Sequence, residues 1–268
     1  MLNVLLVTQD DPFYVPLFFN ELLKENISGR FNLKGIVIQR PLGKNSIVEL
    51  TSQMIGFYGV KNFFVVGTKF IIYKILNFIA VTIFNGKFPG IFSVEHIIKK
   101  KGLKIISIGN INSMESIDIL KAMDIDIVFS IAASQIFRKN ILELPKIGCF
   151  NIHTSKLPRN RGMMPNFWSL YNYDKEPVSA VTIHKMNEKL DDGDILIQKE
   201  FKLEPSESLD FLIKRTKKLS AEAFLQAIDL LSAQPINLIE NDVNNASYNS
   251  FPKKEDVIKF RKKGLRLR

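Results

Sequence analysis

Four short apolar runs constrain this chain more than any other feature: NVLLVTQ from Asn3, LKGIVIQ from Leu33, LKIISIG from Leu103 and IDIVFSI from Ile125. Each is too short and too evenly apolar for a surface helix and reads as a strand buried on both faces. Stretches with helical spacing lie between them, from Pro12 to Glu25 and from Ser113 to Met123. This alternation predicts an α/β fold with a mostly parallel sheet covered by helices. Ligands of such sheets sit beyond the carboxyl ends of the strands, where loops converge.

Further along, GCFNIH, VSAVTIHKM and DILIQKEF read as more strands, the last two separated by a polar loop from Asn187 to Asp194. A long helical pattern follows, from Ser208 to Ala233. These features divide the chain into a main domain over residues 1–204 and a helical extension with a basic tail over 205–268. The stretch from Asn241 onward, richer in Asn, Ser and charge, is expected to wrap the surface. No G-x-G-x-x-G follows the first strand and no P-loop pattern occurs, so dinucleotide and nucleoside-triphosphate binding lose their usual support.

The formal charge of +10 raises the question of nucleic acid, but eight of the basic residues fall between Lys253 and Arg268, against only Glu255 and Asp256. The body is nearly balanced, which disfavours a nucleic-acid partner; the tail reads as a solvated or packed terminus, with binding of phosphate, RNA or an anionic membrane as the alternative. Cys149, the single cysteine, has no partner for a disulfide or a metal pair. With an opening that lacks a secretory leader, this gives a cytoplasmic address as the expectation.

An apolar insertion spans residues 55–90. Its centre, Phe63 to Phe84, contains Lys69, Lys74 and Asn77, and charge in the middle of a lipid-spanning helix is costly. On a helical projection Lys69, Tyr73 and Asn77 form a narrow polar stripe on a broadly apolar rod. The expectation is a helix packed in the core or at the subunit interface of a homodimer, with a membrane-surface helix as the alternative.

The chemistry concentrates in FNIHTSKLPRNRGMMP, beginning at Phe150. Asn151 and His153, two apart on a strand, point the same way, so an amide and an imidazole converge on one small group. The three histidines, His96, His153 and His184, lack metal-ligand spacing, and no metal is expected. Ser155 is placed to orient the loop after the strand through its hydroxyl. Arg159 and Arg161 are candidates for an acceptor phosphate, since guanidinium forks suit phosphate oxygens. Phe167 and Trp168 read as core aromatics that also suit a pocket wall.

FNIHTSKLPRNRG resembles the signature of 10-formyltetrahydrofolate-dependent formyltransferases, and KLDDGDIL resembles the acidic loop of the same family. DIVFSIAASQIF, ELPKIGC and VTIHKM also match family segments in order, so the likeness covers most of residues 103–202. It implies a Rossmann-like domain, 10-formyltetrahydrofolate as co-substrate, and a catalytic set of Asn151, His153 and Asp191. Asp192 reads as a turn carboxylate, while Asp194 stays open. The resemblance places the pteridine against Gln135, Ile136, Met186, Asn187 and Glu188, contacted mainly through backbone groups. His184 borders this loop and reads as a structural histidine.

In that chemistry an amine attacks the formyl carbon, Asn151 donates to the developing oxyanion, and His153, held by Asp191, relays a proton to the departing folate nitrogen. The expected acceptor is a small-molecule amine, an amino sugar on a nucleotide. The segment after Phe201 is expected to leave no room for the further domain of methionyl-tRNA members. Glycinamide-ribonucleotide formylation, hydrolysis of 10-formyltetrahydrofolate and a non-enzymatic folate- or nucleotide-binding module are the alternatives.

Overall fold

The computed structural model describes residues 1–25, 27–40, 46–204, 206–233 and 235–268. The apolar run at the start forms β1 (Asn3–Gln9), and α1 (Val15–Leu22) follows, with Pro16 in its first turn. Next come β2 (Asn32–Gln39), α2 (Ile47–Tyr58) and α3 (Val60–Phe78). Ser46 caps α2 by exchanging hydrogen bonds with Glu49, which satisfies two of the free amides at that helix end. After α4 (Val94–Lys100), β3 is only Ile105–Ile106, shorter than LKIISIG predicts because it is an edge strand paired on one side. Then α5 (Met114–Lys121), β4 (Ile127–Ile131), α6 (Lys139–Leu142) and β5 (Gly148–His153) complete the parallel part.

Beyond it lie β6 (Arg161–Gly162), α7 (Pro165–Tyr171), β7 (Val178–Lys185), β8 (Ile195–Lys202), α8 (Leu209–Ser232), β9 (Tyr248–Asn249) and α9 (Lys254–Lys262). The main sheet has seven strands in the order β3-β2-β1-β4-β5-β7-β8, with β7 and β8 antiparallel. Order and direction agree with the expected α/β class.

Strand alternation builds two cores from one sheet. Val4 and Leu6 of β1 join Phe129, Phe150 and Val181 under α1, α4 and α8. Leu5 and Val7 face the other way, with Val128 and Cys149, against α5 and α6. A third cluster brings together Phe57, Phe167, Leu212, Val257 and Phe260 from α2, α7, α8 and α9.

Two expectations need correction. The region after residue 204 is helical, but it is no appendage: Phe224, Ala227 and Ile228 of α8 belong to the sheet's own core, and Pro205, the first residue of the expected extension, lies outside the described residues. Nor does the chain beyond Asn241 simply wrap the surface. Val257 and Phe260, three apart on α9, are buried, as are Leu265 and Leu267, because helical spacing puts both α9 side chains on one face.

The apolar segment departs further from expectation. Instead of being buried on most sides, α3 has no buried residue. Tyr73 and Asn77 of its polar stripe turn inward, and the exposed Lys69 reaches back to partners there. The Lys69 ammonium sits over the rings of Phe13 and Tyr73. Tyr73 also packs on Phe92, and the Asn77 amide oxygen meets the Ser93 hydroxyl at 2.5 Å. Beside the stripe, Lys74 pairs with Asp10 at 2.8 Å. The apolar face is therefore the one left outside.

Candidate active site

The parallel strands β1 and β4 end beside the carboxyl end of β5, and a cavity of about 530 Å³ opens there. Asn151 and His153 sit on the face of β5 that continues from Cys149, so the strand changes from core to site within four residues. Directly across in β7, Asn151 pairs with His184 and His153 with Thr182.

Asp191 reaches this wall from the loop between β7 and β8. Two backbone features bring it in. Asp191 holds a left-handed φ of 50°, and Gly193 lies so close to β7 that a Cβ there would stand 1.9 Å from the Lys185 carbonyl oxygen. A side chain at 193 would lift the loop off the strand. The Asp191 carboxylate then accepts the Gly162 amide at 2.8 Å and the Asn151 side-chain amide at 3.2 Å. Its Oδ1 also lies 3.5 Å from His153 Nδ1 and 3.4 Å from His184 Nε2.

Hydrogen bonds assign the ring protons. His153 Nε2 meets the Asn160 carbonyl at 3.0 Å and His184 Nδ1 meets the Lys185 carbonyl at 3.0 Å. Carbonyls only accept, so both nitrogens carry hydrogen. His184 Nε2 lies between the Asn151 side-chain nitrogen at 3.3 Å and Asp191, and the Nδ1 lone pair of neutral His153 stands beside Asp191. A proton taken up at that nitrogen would convert the contact into an ion pair.

Burial lowers the His153 pKa; the Asp191 charge raises it only partly, and the neighbouring His184 and Lys217 oppose protonation. The neutral imidazole is thus the resting form, whereas a nearby carboxylate alone would favour imidazolium. Burial also opposes ionisation of Asp191, but His153, His184 and the Gly162 amide outweigh it and hold the carboxyl well below its ordinary range. The site rests as a carboxylate beside a neutral base.

A family profile described as Formyl transferase matches residues 94–228, half of the chain, and spans both β5 and the Asp191 loop. The chain belongs to the formyl transferase family. It is 36% identical over 164 residues to methionyl-tRNA formyltransferase of Thermotoga neapolitana, covering 61% of this chain and 52% of that protein. The chain thus spans about half the length of the curated relatives it matches. In structure it is similar to a sugar N-formyltransferase from a Shewanella species, at TM-score 0.56 and 21% identity over 93% of this chain and 77% of the other. An N-formyltransferase from Helicobacter canadensis, in complex with folinic acid and dTDP-3-aminofucose, gives TM-score 0.56 at 17% identity over 93% and 71%. At these identities the structural likeness concerns the fold.

Within this formyl transferase fold, the five positions expected at the pteridine, Gln135, Ile136, Met186, Asn187 and Glu188, all line the cavity. The Gln135 side chain is committed to the protein: its oxygen accepts the Ile111 amide and its nitrogen donates to Arg40 and Gly109 carbonyls. Asn187 is bonded to Lys189 and Asp192. Beside them the Ser134 hydroxyl is buried without a hydrogen-bond partner among the described residues and faces the same cavity.

The residues expected on the acceptor side fare differently. Arg159 pairs with Glu176 at 3.0 Å, and Arg161 pairs with Asp192 at 2.9 Å while donating to the Leu190 carbonyl. Neither lines the cavity, because both guanidiniums are drawn to local acceptors. Arg161 holds the Asp191 loop in place. Ser155 is fully buried and bonds the Arg159 and Asn160 carbonyls, so it orders the loop and does not face a ligand. Asp192, half-buried, pairs with Arg161 and accepts from Asn187, and Asp194 is exposed. Phe167 is core and cavity wall at once; Trp168 packs behind it and donates to the Ser250 carbonyl.

The sequence reading missed several residues. Asn160, between the two arginines, fixes the His153 tautomer through its carbonyl. Asn166, which lines the cavity, bonds Thr154 and Thr216 through its nitrogen, and its oxygen is buried without a partner among the described residues. Lys69, Lys214, Lys217 and Arg268 also line the cavity, with Asp11 and Asp210 among them, Asp210 pairing with Lys214 at 2.5 Å. His184 touches Asp191. In the sequence it reads as a structural histidine beside the loop; its position directly after the VSAVTI run, opposite Asn151 in β5, was the signal for a contact with the site.

Proposed function

We propose that this chain transfers the formyl group of 10-formyltetrahydrofolate to an amine, and that the amine belongs to an amino sugar carried on a nucleotide. The observation that carries the reading is the convergence of Asn151, His153 and Asp191 on one cavity wall at the carboxyl end of the sheet. The amine attacks the formyl carbon, a new C–N bond forms, and the carbonyl oxygen becomes an oxyanion. An Asn151 N–H, otherwise given to Asp191 or His184, donates to that oxygen. The neutral Nδ1 of His153 receives a proton from the attacking amine, and Asp191 stabilises the imidazolium. As the carbon–N10 bond breaks, that proton passes to the folate nitrogen. No covalent enzyme intermediate is required.

Backbone groups of residues 132–137 and 186–190, with the unpartnered Ser134 hydroxyl, suit the pteridine end. At the other end Lys217 is buried among protein atoms; burial pushes its pKa down, and the Asp11 charge only partly opposes this. A phosphate placed there would restore the full ammonium charge. Together with Lys69 and Arg268 it suits a polyanionic small molecule, Lys214 being paired with Asp210, and this set takes over the role that the sequence suggested for Arg159 and Arg161. The dTDP-3-aminofucose held by the Helicobacter canadensis protein is an acceptor of this class.

One observation favours a second acceptor: the Thermotoga neapolitana relative at 36% identity is a methionyl-tRNA formyltransferase. The test offers 10-formyltetrahydrofolate with nucleotide-linked amino sugars, glycinamide ribonucleotide and charged initiator tRNA, and compares kcat/KM. The highest value is expected for a nucleotide-linked amino sugar. Preference for tRNA would replace the acceptor and keep the chemistry, whereas formate release without any amine would mark a hydrolase.

A further inference from the structure

The helix α3 is built inside out. Its polar stripe, Lys69, Tyr73 and Asn77, is held against the domain by the contacts given above, and the opposite face is apolar and uncovered. Phe64, Ile71, Ile75 and Phe78 are 66%, 60%, 55% and 61% exposed. At helical spacing these four and Val60 fall within roughly 60° of arc. Such a patch on a monomer marks a docking surface.

The helix is also long and apolar enough to cross a membrane, counted from Val60 to Ile83. It cannot span one in this fold, because it is tied to the domain along its length. Lys74 is bonded to Asp10 near its middle. The turn after it, Ala80 and Val81, is buried, with the Gly86 amide donating to the Ala80 carbonyl. It can only lie flat.

Charge selects what covers it. Between Glu49 and Glu95 the charged residues are Lys61, Lys69, Lys74 and Lys87, with no acid among them. A second copy docking here would bring lysines toward lysines. At the foot of the helix, Arg261 of the basic α9 donates to the Tyr58 carbonyl at 2.9 Å, one residue before Gly59, where α3 begins. Lys254 of α9 also packs beside Gly56. An apolar face joined to a basic helix supplies two attachment signals at once, which a single apolar face does not.

We infer that the outward face of α3, with α9 at its foot, binds an anionic lipid bilayer as an in-plane anchor. Phe64, Ile71, Ile75 and Phe78 enter the acyl boundary, and the lysines and arginines meet lipid phosphates. The domain, with its cavity on the inward side of α3 where Val66 and Lys69 contribute, stays outside the bilayer.

The test is flotation of the full chain with vesicles of phosphatidylcholine alone and of phosphatidylcholine mixed with phosphatidylglycerol. Strong partition to the anionic vesicles is expected. The triple variant Phe64→Glu, Ile71→Glu, Ile75→Glu should partition about 100-fold less, with an unchanged melting temperature because all three side chains face solvent. Phe211→Glu, an exposed apolar residue on α8, should partition like the parent. Light scattering on the same samples reports the oligomer. Absence of partition, partition that survives the triple variant, or a dimer that the triple variant dissociates while vesicles bind neither protein, would each overturn the anchor.

Discussion

The wall around Asp191 and the outer face of α3 reverse the usual placement of side chains in opposite directions. The first buries an aspartate, two histidines and an asparagine beside the core; the second leaves phenylalanines and isoleucines in the open. Each reversal costs stability, but they are held differently. The polar wall is tied by hydrogen bonds on every side, so a change there propagates through neighbours. The apolar face is mostly exposed, so a change there should leave the fold alone and alter only what the face meets. The contrast separates residues kept for chemistry from residues kept for contact.

The sharpest way to break this contrast is to remove the wall's members. His153→Ala, Asn151→Ala and Asp191→Asn are each expected to lower kcat by about 10²–10⁴-fold. The double variants should lose little more than the singles, because the groups act as one unit. Near-normal turnover of His153→Ala with 10-formyltetrahydrofolate would remove the proposed proton path. Next in size is Gly193→Ala, whose Cβ has no room against the Lys185 carbonyl. It should cost about 1–3 kcal/mol in urea unfolding and lower activity too, since the displaced loop carries Asp191.

The pH dependence sharpens the comparison further. Burial holds the folded His153 pKa down, so the unfolded chain takes up a proton that the folded chain resists. This group leaves stability unchanged above about pH 6.5 and lowers it as the pH falls below that value. Burial lowers the His96 pKa as well and adds the same sign. Asp191 acts lower: its depressed pKa gives stability that is present above about pH 4 and is lost as the pH falls toward the folded value. The urea midpoint should therefore decline from neutral to mildly acidic pH, and His153→Gln should flatten part of that decline. An identical decline in the variant would place the proton uptake elsewhere. The smallest effect is expected at Arg159, whose exposed pair with Glu176 stabilises by at most about 1 kcal/mol. Arg159→Ala should leave kcat/KM for a nucleotide-linked amino sugar nearly unchanged.

Much of the fold was legible because strand and helix periods are local. NVLLVTQ and GCFNIH begin and end in the structure where their apolar patterns do. The positions of Asn151 and His153 followed from the two-residue period of β5 together with the family signature. What the sequence did not disclose depends on pairing between distant segments. His184 enters the site only because β7 is registered against β5, and Asn160 matters for its carbonyl, which carries no side-chain signature. The acceptor-side charges escaped because Lys217 and Arg268 reach the cavity from separate elements. The apolar helix was misjudged for a related reason: hydropathy counts how much surface is apolar, and it does not say which side is turned inward.

The two-stranded pairing of β6 with β9 ties assembly of the site to the order of synthesis. Asn160, which orients His153, donates its own amide to the Ser247 hydroxyl and takes a hydrogen bond on its side chain from Asn249. Arg161 and Gly162 pair with Tyr248 and Asn249. A ribosome will therefore have released Asn151, His153 and Asp191 before Ser247 and Asn249, which bond Asn160, exist. During that interval the nascent sheet can form its strands from local and neighbouring contacts while its reactive centre stays unformed. The hydrogen bonds that hold Asn160 form only when the late segment arrives.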